Sequence, residues 1–190
     1  MIAGLILAAG ESRRMGSPKA LLDFGGETFL NHLVASFSGV CAPVIVVLGH
    51  GAEEIRAGLR AADQAVFVVN KDYRLGQFSS MQCGLRAVPA AAPGVIFSLV
   101  DHPAVQSSTL TRLASSKAPL AIPRMNGRRG HPVFFSRALI AEFLAMPPEA
   151  NARMVVEKHA AEIDYVDVGD PGILQDIDDP EAYRRLVSSL

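Results

Sequence analysis

The sequence predicts an α/β protein built on one doubly wound, mostly parallel sheet with a small added hairpin. Three observations carry that expectation. Four short, near-continuous apolar runs, at 2–8, 44–48, 65–69 and 95–100, have the composition of strands buried on both faces of a parallel sheet. Longer stretches with apolar residues three and four apart lie between or after them, at 28–37, 52–62, 79–87 and 107–116, and read as the covering helices. At 190 residues the chain fits one core, with no repeat or low-complexity segment to divide it; a single core grows to roughly 250 residues before chains usually split.

Taken in order, residues 2–8 open the chain as a buried strand. The segment lacks a basic leader and runs straight into the polar stretch 10–19, so it reads as a strand rather than a signal peptide, and a cytoplasmic location is expected. Thr28 and Ser107 are expected as N-caps of their helices, where a side-chain oxygen serves free backbone N–H groups. Beyond residue 116 the order loosens. A strand at 120–123, a polar turn from Asn126 to Gly130 and a strand at 132–135 form the expected hairpin beside the main sheet. Helices at 137–145 and 152–159, a strand at 163–168 and a helix from Pro180 complete the chain. Pro147-Pro148 breaks a helix with no long linker around it, so residues 1–190 are read as one domain.

Composition narrows the function. The chain is 49% hydrophobic, yet no apolar run reaches the length of a membrane helix, about 20 residues. With 18 basic and 19 acidic residues intermixed, it offers no electrostatic footprint for nucleic acid, and a small-molecule partner is expected. Cys41 and Cys83 form neither a CxxC pair nor a disulfide framework and read as reduced packing residues.

Ligands of doubly wound sheets sit outside the carboxyl ends of the strands, which directs attention to five places. After the first strand, Leu7-Ala8-Ala9-Gly10-Glu11-Ser12-Arg13-Arg14-Met15-Gly16-Ser17-Pro18-Lys19 combines two glycines with cations. Such a loop cradles polyphosphate through backbone N–H groups and countercharge, or is an ordinary turn with solvated arginines. It is neither a Walker A loop nor GxGxxG. After the strand at 95–100, Asp101-His102-Pro103 places an acid at the crevice, either closing a turn or holding a hard cation against phosphate. In the third segment, Asn70 to Leu85, Ser79 and Ser80 are helix caps or ligand contacts, and Gly76 fits a turn or close approach. The fourth, Arg129-Gly130-His131-Pro132-Val133, makes His131 the better functional histidine. His32 and His159 fall in helical patterns, and His50 ends a strand without a nameable partner. The fifth, Asp176-Ile177-Asp178-Asp179-Pro180-Glu181, is an acidic cluster at a helix start, favourable there even without a ligand.

The string LAAG-x-S-x-R-M-G-x-x-K, met in full from Leu7 to Lys19, resembles the signature of the MobA-like nucleotidyltransferases. The later motifs resemble the molybdenum cofactor cytidylyltransferase branch, and the likeness runs from Leu7 to Glu181. It implies a Rossmann-like nucleotidyltransferase fold. It further implies that Leu7, Ala8, Ala9, Gly10, Ser12, Arg14 and Lys19 wrap the triphosphate, and that Asn70, Gly76, Ser79, Ser80 and Gly84 help hold base and sugar. Arg14, Lys19 and Asp101 would be the catalytic set, with Asp101 and Asp178 as Mg2+ ligands. His102, Gly130, His131 and Pro132 would border the acceptor. The implied reaction moves CMP from CTP to the phosphate of molybdopterin, releasing pyrophosphate, and a molybdenum hydroxylase is an implied partner.

Three departures bear on the acceptor. His102 stands where the family more often has Gln or Met, and Asp179 replaces Thr. Pro148-Glu149-Ala150-Asn151-Ala152-Arg153 stands for G-D-x-G-A-R, without its aspartate. Ala9 stands at the first glycine of the LAGG found in related guanylyltransferases, which implies a pyrimidine base. The alternatives are a sibling transferase using GTP or another phosphorylated acceptor, an oxidoreductase-related or accessory protein of molybdenum hydroxylases, and a zinc hydrolase built on His50, His102, His131 and Asp101.

Overall fold

The computed structural model describes residues 1–60 and 64–189. Its main sheet begins with β1 (Ala3–Ala8), flanked in parallel by β4 (Val44–Leu48) and β6 (Gly94–Leu99), with β5 (Val66–Val69) beyond β4. Leu7 lies opposite Val47 on one side and Leu99 on the other. Alternation then decides the layers. Ile6, Val46 and Ile96 face one set of helices, whereas Leu5, Leu7, Ile45, Val47 and Val95 face the other. Both faces of β1, β4 and β6 are dry, so these three strands are apolar at nearly every position, whereas Val66 and Val69 of the edge strand β5 are exposed.

The first layer comprises α1 (Phe29–Ser38), α2 (Ala52–Ala57), α4 (Ser107–Ala114) and α7 (Pro180–Val187), contributing Phe29, Phe37, Ile55, Leu110 and Leu186. The second comprises α3 (Gln77–Arg86), α5 (Arg137–Ala145) and α6 (Arg153–Lys158), contributing Phe78, Met81, Phe143 and Val155. Burying one such side chain contributes roughly 1.5–3 kcal/mol. Gly84 marks how closely α3 lies on the sheet: a Cβ there would stand 2.3 Å from Leu5 Cδ1 and 2.6 Å from Val47 Cγ2. Cys41 is buried in the first layer, and burial pushes its thiol up to about 12, as expected of a packing residue. No helix among the described residues is long and apolar enough to cross a membrane.

The remaining strands are β7 (Leu120–Met125), β8 (Arg128–Arg129), β9 (Val133–Ser136) and β10 (Ile163–Asp167), giving the order β10-β7-β9-β6-β1-β4-β5 with β8 paired to β7. The expected hairpin is therefore part of the sheet. β9 inserts antiparallel between β6 and β7, and only β8 extends as an appendage. A further two-stranded ribbon, β2 (Asp23–Phe24) with β3 (Glu27–Thr28), was not expected. It turns through Gly25 and Gly26, both at positive φ.

Helix starts teach more. Thr28 caps α1 as expected, its hydroxyl accepting from Asn31 N. Ser107 does not cap α4: the N-cap is Gln106, and the carboxylate of Asp170 supplies the missing acceptor from a distant segment. The helix expected at 52–62 ends at Ala57, and its last two positions lie outside the described residues. From β1 the chain winds to β4 and β5 on one side, then returns to β6 on the other, so the order switches beside β1. The crevice at the carboxyl ends of β1 and β6 is where such a sheet receives a ligand.

Candidate active site

A cavity of about 330 Å³ opens there. Leu7, Ala8 and Ala9 from the end of β1, with Leu99 and Val100 from the end of β6, line it, and Val100 N donates to Leu7 O at 3.0 Å to join the two ends. The next wall is the loop from Gly10 to Lys19. Ser12, at φ 50, folds this loop on itself: its carbonyl accepts from Met15 N at 2.9 Å and its hydroxyl from Lys19 N at 3.1 Å. A Cβ at Gly10 would meet nothing, so the protein itself does not demand glycine there. Its absence leaves the backbone open to an approaching anion.

Across the cavity the charged groups converge. Lys19 Nζ donates to Asp101 Oδ2 at 3.0 Å and to Asp178 Oδ1 at 2.6 Å, and Arg14 Nη2 donates to Asp178 Oδ2 at 2.9 Å. Asp178 arrives from the far end of the chain because Ile177 N donates to Asp101 O at 2.9 Å. The Lys19 ammonium, aided by Arg14, holds the Asp178 carboxyl below the usual range. Asp101 Oδ1 is buried without a hydrogen-bond partner. Two facing carboxylates with one uncommitted oxygen suit a hard divalent cation that completes its shell with phosphate oxygens, so Asp101 and Asp178 fit the implied metal. Among the described residues no group of three or more His, Cys, Asp or Glu is placed to hold a metal ion alone. The zinc hydrolase arrangement in particular does not assemble: His50 Nδ1 lies 3.3 Å from the Tyr73 hydroxyl, while His102 and His131 lie tilted against each other with ring centroids 5.0 Å apart.

The model of the MobA-like NTP transferase domain matches residues 4–163. The chain belongs to this family. It is 31% identical over 98% of its length to nicotine blue oxidoreductase of Paenarthrobacter nicotinovorans, covering 96% of that protein. It is 27% identical over 94% of its length to molybdenum cofactor cytidylyltransferase of Escherichia coli K12, covering 92%. The solved structure of Rv0371C of Mycobacterium tuberculosis H37Rv in complex with manganese superposes with a TM-score of 0.80 at 28% identity, covering all of this chain and 99% of the other.

In this MobA-like transferase the other expected residues divide. Gly76 and Ser80 line the cavity; Asn70, Ser79 and Gly84 do not. Asn70 Nδ2 donates to the hydroxyls of Ser79 and Ser80, each at 3.0 Å, and Ser79 Oγ donates to Gly76 O at 2.8 Å. The trio braces the turn at Gly76, which itself caps α3, so neither serine is the N-cap. His102, Gly130, His131 and Pro132 lie behind Asp101, outside the cavity lining. His102 Nε2 is 3.7 Å from Asp101 Oδ1, and the Nδ1 atoms of both histidines are buried without partners. Burial pushes His131 down to about 4 and lowers His102 as well, so both rings are neutral at neutral pH. Gly130 presses on the segment before Asp178, where a Cβ would come within 2.0 Å of Ile173 O, and His131 N donates to that carbonyl at 3.0 Å.

Sequence reasoning missed Ile55, Gln77 and Tyr73 in the cavity wall. Tyr73 and Gln77 stand inside the segment 70–85 and were available to it; Ile55, on a helix stripe, gave no signal beyond core. It also missed Asp170, buried at 1% exposure, which accepts from Gln106 N at 2.9 Å, Thr109 Oγ1 at 2.7 Å and Gly172 N at 2.9 Å.

Proposed function

We propose that this nucleotidyltransferase moves CMP from CTP to the phosphate of molybdopterin with release of pyrophosphate, in service of a molybdenum hydroxylase. The observation that carries the transferase part is the convergence of Arg14, Lys19, Asp101 and Asp178 on one cavity at the ends of β1 and β6. A phosphate monoester has a second pKa near ~6 and is largely dianionic at neutral pH, so no side-chain base is needed. One of its oxygens attacks the α-phosphorus, the Pα–O–Pβ bond breaks, and pyrophosphate leaves with the bonding electrons. The chain's task is in-line placement and neutralisation of the charge growing on the leaving group, which falls to Arg14 and Lys19. Mg2+ held by Asp101 and Asp178 would supply further charge neutralisation when bound.

CTP is favoured by the Ala9 methyl at the cavity floor, and molybdopterin by the Arg129-Gly130-His131-Pro132-Val133 stretch and the cytidylyltransferase relative. A second reading, an oxidoreductase or a hydroxylase accessory protein, is favoured by the full-length likeness to nicotine blue oxidoreductase. Pyrophosphate release from each of four nucleoside triphosphates, with and without molybdopterin, tests the first. Release from CTP only with molybdopterin is expected. No release from any triphosphate, together with nicotinamide-dependent turnover, overturns it in favour of the second.

A further inference from the structure

We infer that the Lys19 ammonium holds the cation position between Asp101 and Asp178, so that this carboxylate pair takes up a divalent cation tightly only as part of a metal–nucleotide complex. The inference rests on the transferase reading and concerns how that site admits its ligand. Lys19 Nζ lies within hydrogen-bond distance of both carboxylates, 3.0 Å from Asp101 Oδ2 and 2.6 Å from Asp178 Oδ1. Its side chain is only 13% exposed, and its backbone is tied down by Ser12 Oγ at 3.1 Å. Arg14 adds a second cation on Asp178 at 2.9 Å. Two formal negative charges are thus already met by two positive ones.

A divalent ion held by the same two carboxylates would need the position between them. That is the space Nζ fills, and two positive centres so close repel strongly in a partly buried site. A free cation must therefore displace Lys19 with nothing to receive it. The triphosphate removes that obstacle. Its oxygens give Lys19 and Arg14 other acceptors and supply the cation with ligands beyond the carboxylates. Asp101 Oδ1, buried without a partner, is the acceptor still waiting. Nucleotide and cation then favour each other's binding, and the coupling is reciprocal.

The test needs no turnover. Mn2+ is titrated into the purified full chain and the free ion followed by electron paramagnetic resonance, with and without a nucleoside triphosphate analogue whose α–β bridge cannot be cleaved. In the wild type the analogue should tighten Mn2+ binding about tenfold or more, within the usual range of such couplings. Lys19→Met should bind Mn2+ alone about tenfold tighter than the wild type, and Asp178→Asn should lose most of that binding in either background. Lys19→Met binding Mn2+ alone no tighter than wild type overturns the inference, as does an Asp178→Asn variant with unchanged affinity. If Lys19→Met does not fold, Lys19→Gln and the wild-type coupling decide, and an analogue that binds without changing Mn2+ affinity is then fatal. Failure of the transferase reading is seen separately: no triphosphate releases pyrophosphate, while the comparison of Lys19→Met with wild type in Mn2+ alone still stands.

Discussion

Asp170 and Asp178 are eight residues apart on one segment and use their carboxylates in opposite ways. Asp170 is closed off: its oxygens are taken by two backbone N–H groups and one hydroxyl, all fixed by the fold of α4 and the 170–174 turn. Asp178 is 36% exposed at its side chain and is held only by two cationic side chains, with no backbone N–H among its partners. Asp101, beside it, keeps one oxygen without any partner. The first arrangement fixes a segment in place, and the second keeps charge available for exchange with a ligand. A fold can therefore carry the same residue type as a rivet and as a site within a few turns of chain.

The sharpest way to break this contrast is at Asp101. Asp101→Asn removes the charge but little volume, and turnover should fall by about 10²-fold or more, on the order of 2.7–4 kcal/mol of transition-state stabilisation. Pyrophosphate release measures it, and the denaturation midpoint should stay near wild type; a variant with normal turnover takes Asp101 out of the site. Asp170→Ala should do the reverse. It strands buried donors that each cost about 1–3 kcal/mol when unpaired, so a urea titration should show a loss of at least about 2 kcal/mol. A wild-type midpoint would mean that these three hydrogen bonds add nothing to stability.

A smaller effect concerns the neutral floor between the charged walls. Ala9 is buried, and its methyl has room beside the end of β4 because residue 49 is glycine: a Cβ there would stand 2.9 Å from Ala9 Cβ. If it also excludes a purine, kcat/KM should favour CTP over GTP by about 10- to 200-fold, the reach of one methyl in a fitted pocket. Ala9→Gly should narrow that ratio by raising GTP use. Equal use of both nucleotides by the wild type sinks the pyrimidine assignment and leaves the transferase.

What the sequence disclosed follows the same division. The strands β1, β4 and β6 were legible because both faces are buried, and a two-sided burial requirement writes itself as unbroken apolar residues. The loop from Leu7 to Lys19 was legible as a contiguous string, since one turn supplies Ser12, Arg14 and Lys19 together. β9 was misplaced because alternate pairing partners give an identical pattern, and nothing local says that it inserts between β6 and β7. The start of α4 was misread for a related reason. Its acceptor comes from Asp170, 64 residues away, so the nearer Ser107 looked sufficient.

The smallest expected effect tests whether a carboxylate pair around a cation behaves alike when the cation itself titrates. On the outer face, His159 Nε2 lies 2.8 Å from Glu142 Oε2 of α5 and its Nδ1 lies 2.7 Å from Glu162 Oε1, with Lys158 also on Glu142. Both ring nitrogens need protons to serve these acceptors, so Glu142 foremost, then Glu162, raise the His159 pKa. A folded-state value above the unfolded one, near ~6.5, means the contribution is fully present below that pH. It is lost as pH rises through the higher folded value, because the folded state then gives up the extra proton it held. His131, driven down to about 4 by burial, acts with the opposite sign and in a different window: it withdraws stability as pH falls below the unfolded value. Urea midpoints between pH 6.5 and 9 therefore isolate the His159 clamp from the buried pair. The wild type should lose a small increment of stability across that window, and His159→Gln, which cannot gain a proton, should start lower and lack the slope. Parallel midpoint curves for the two proteins would mean that the outer clamp is too well solvated to matter, and that carboxylates around a cation count here only where the cavity partly shields them.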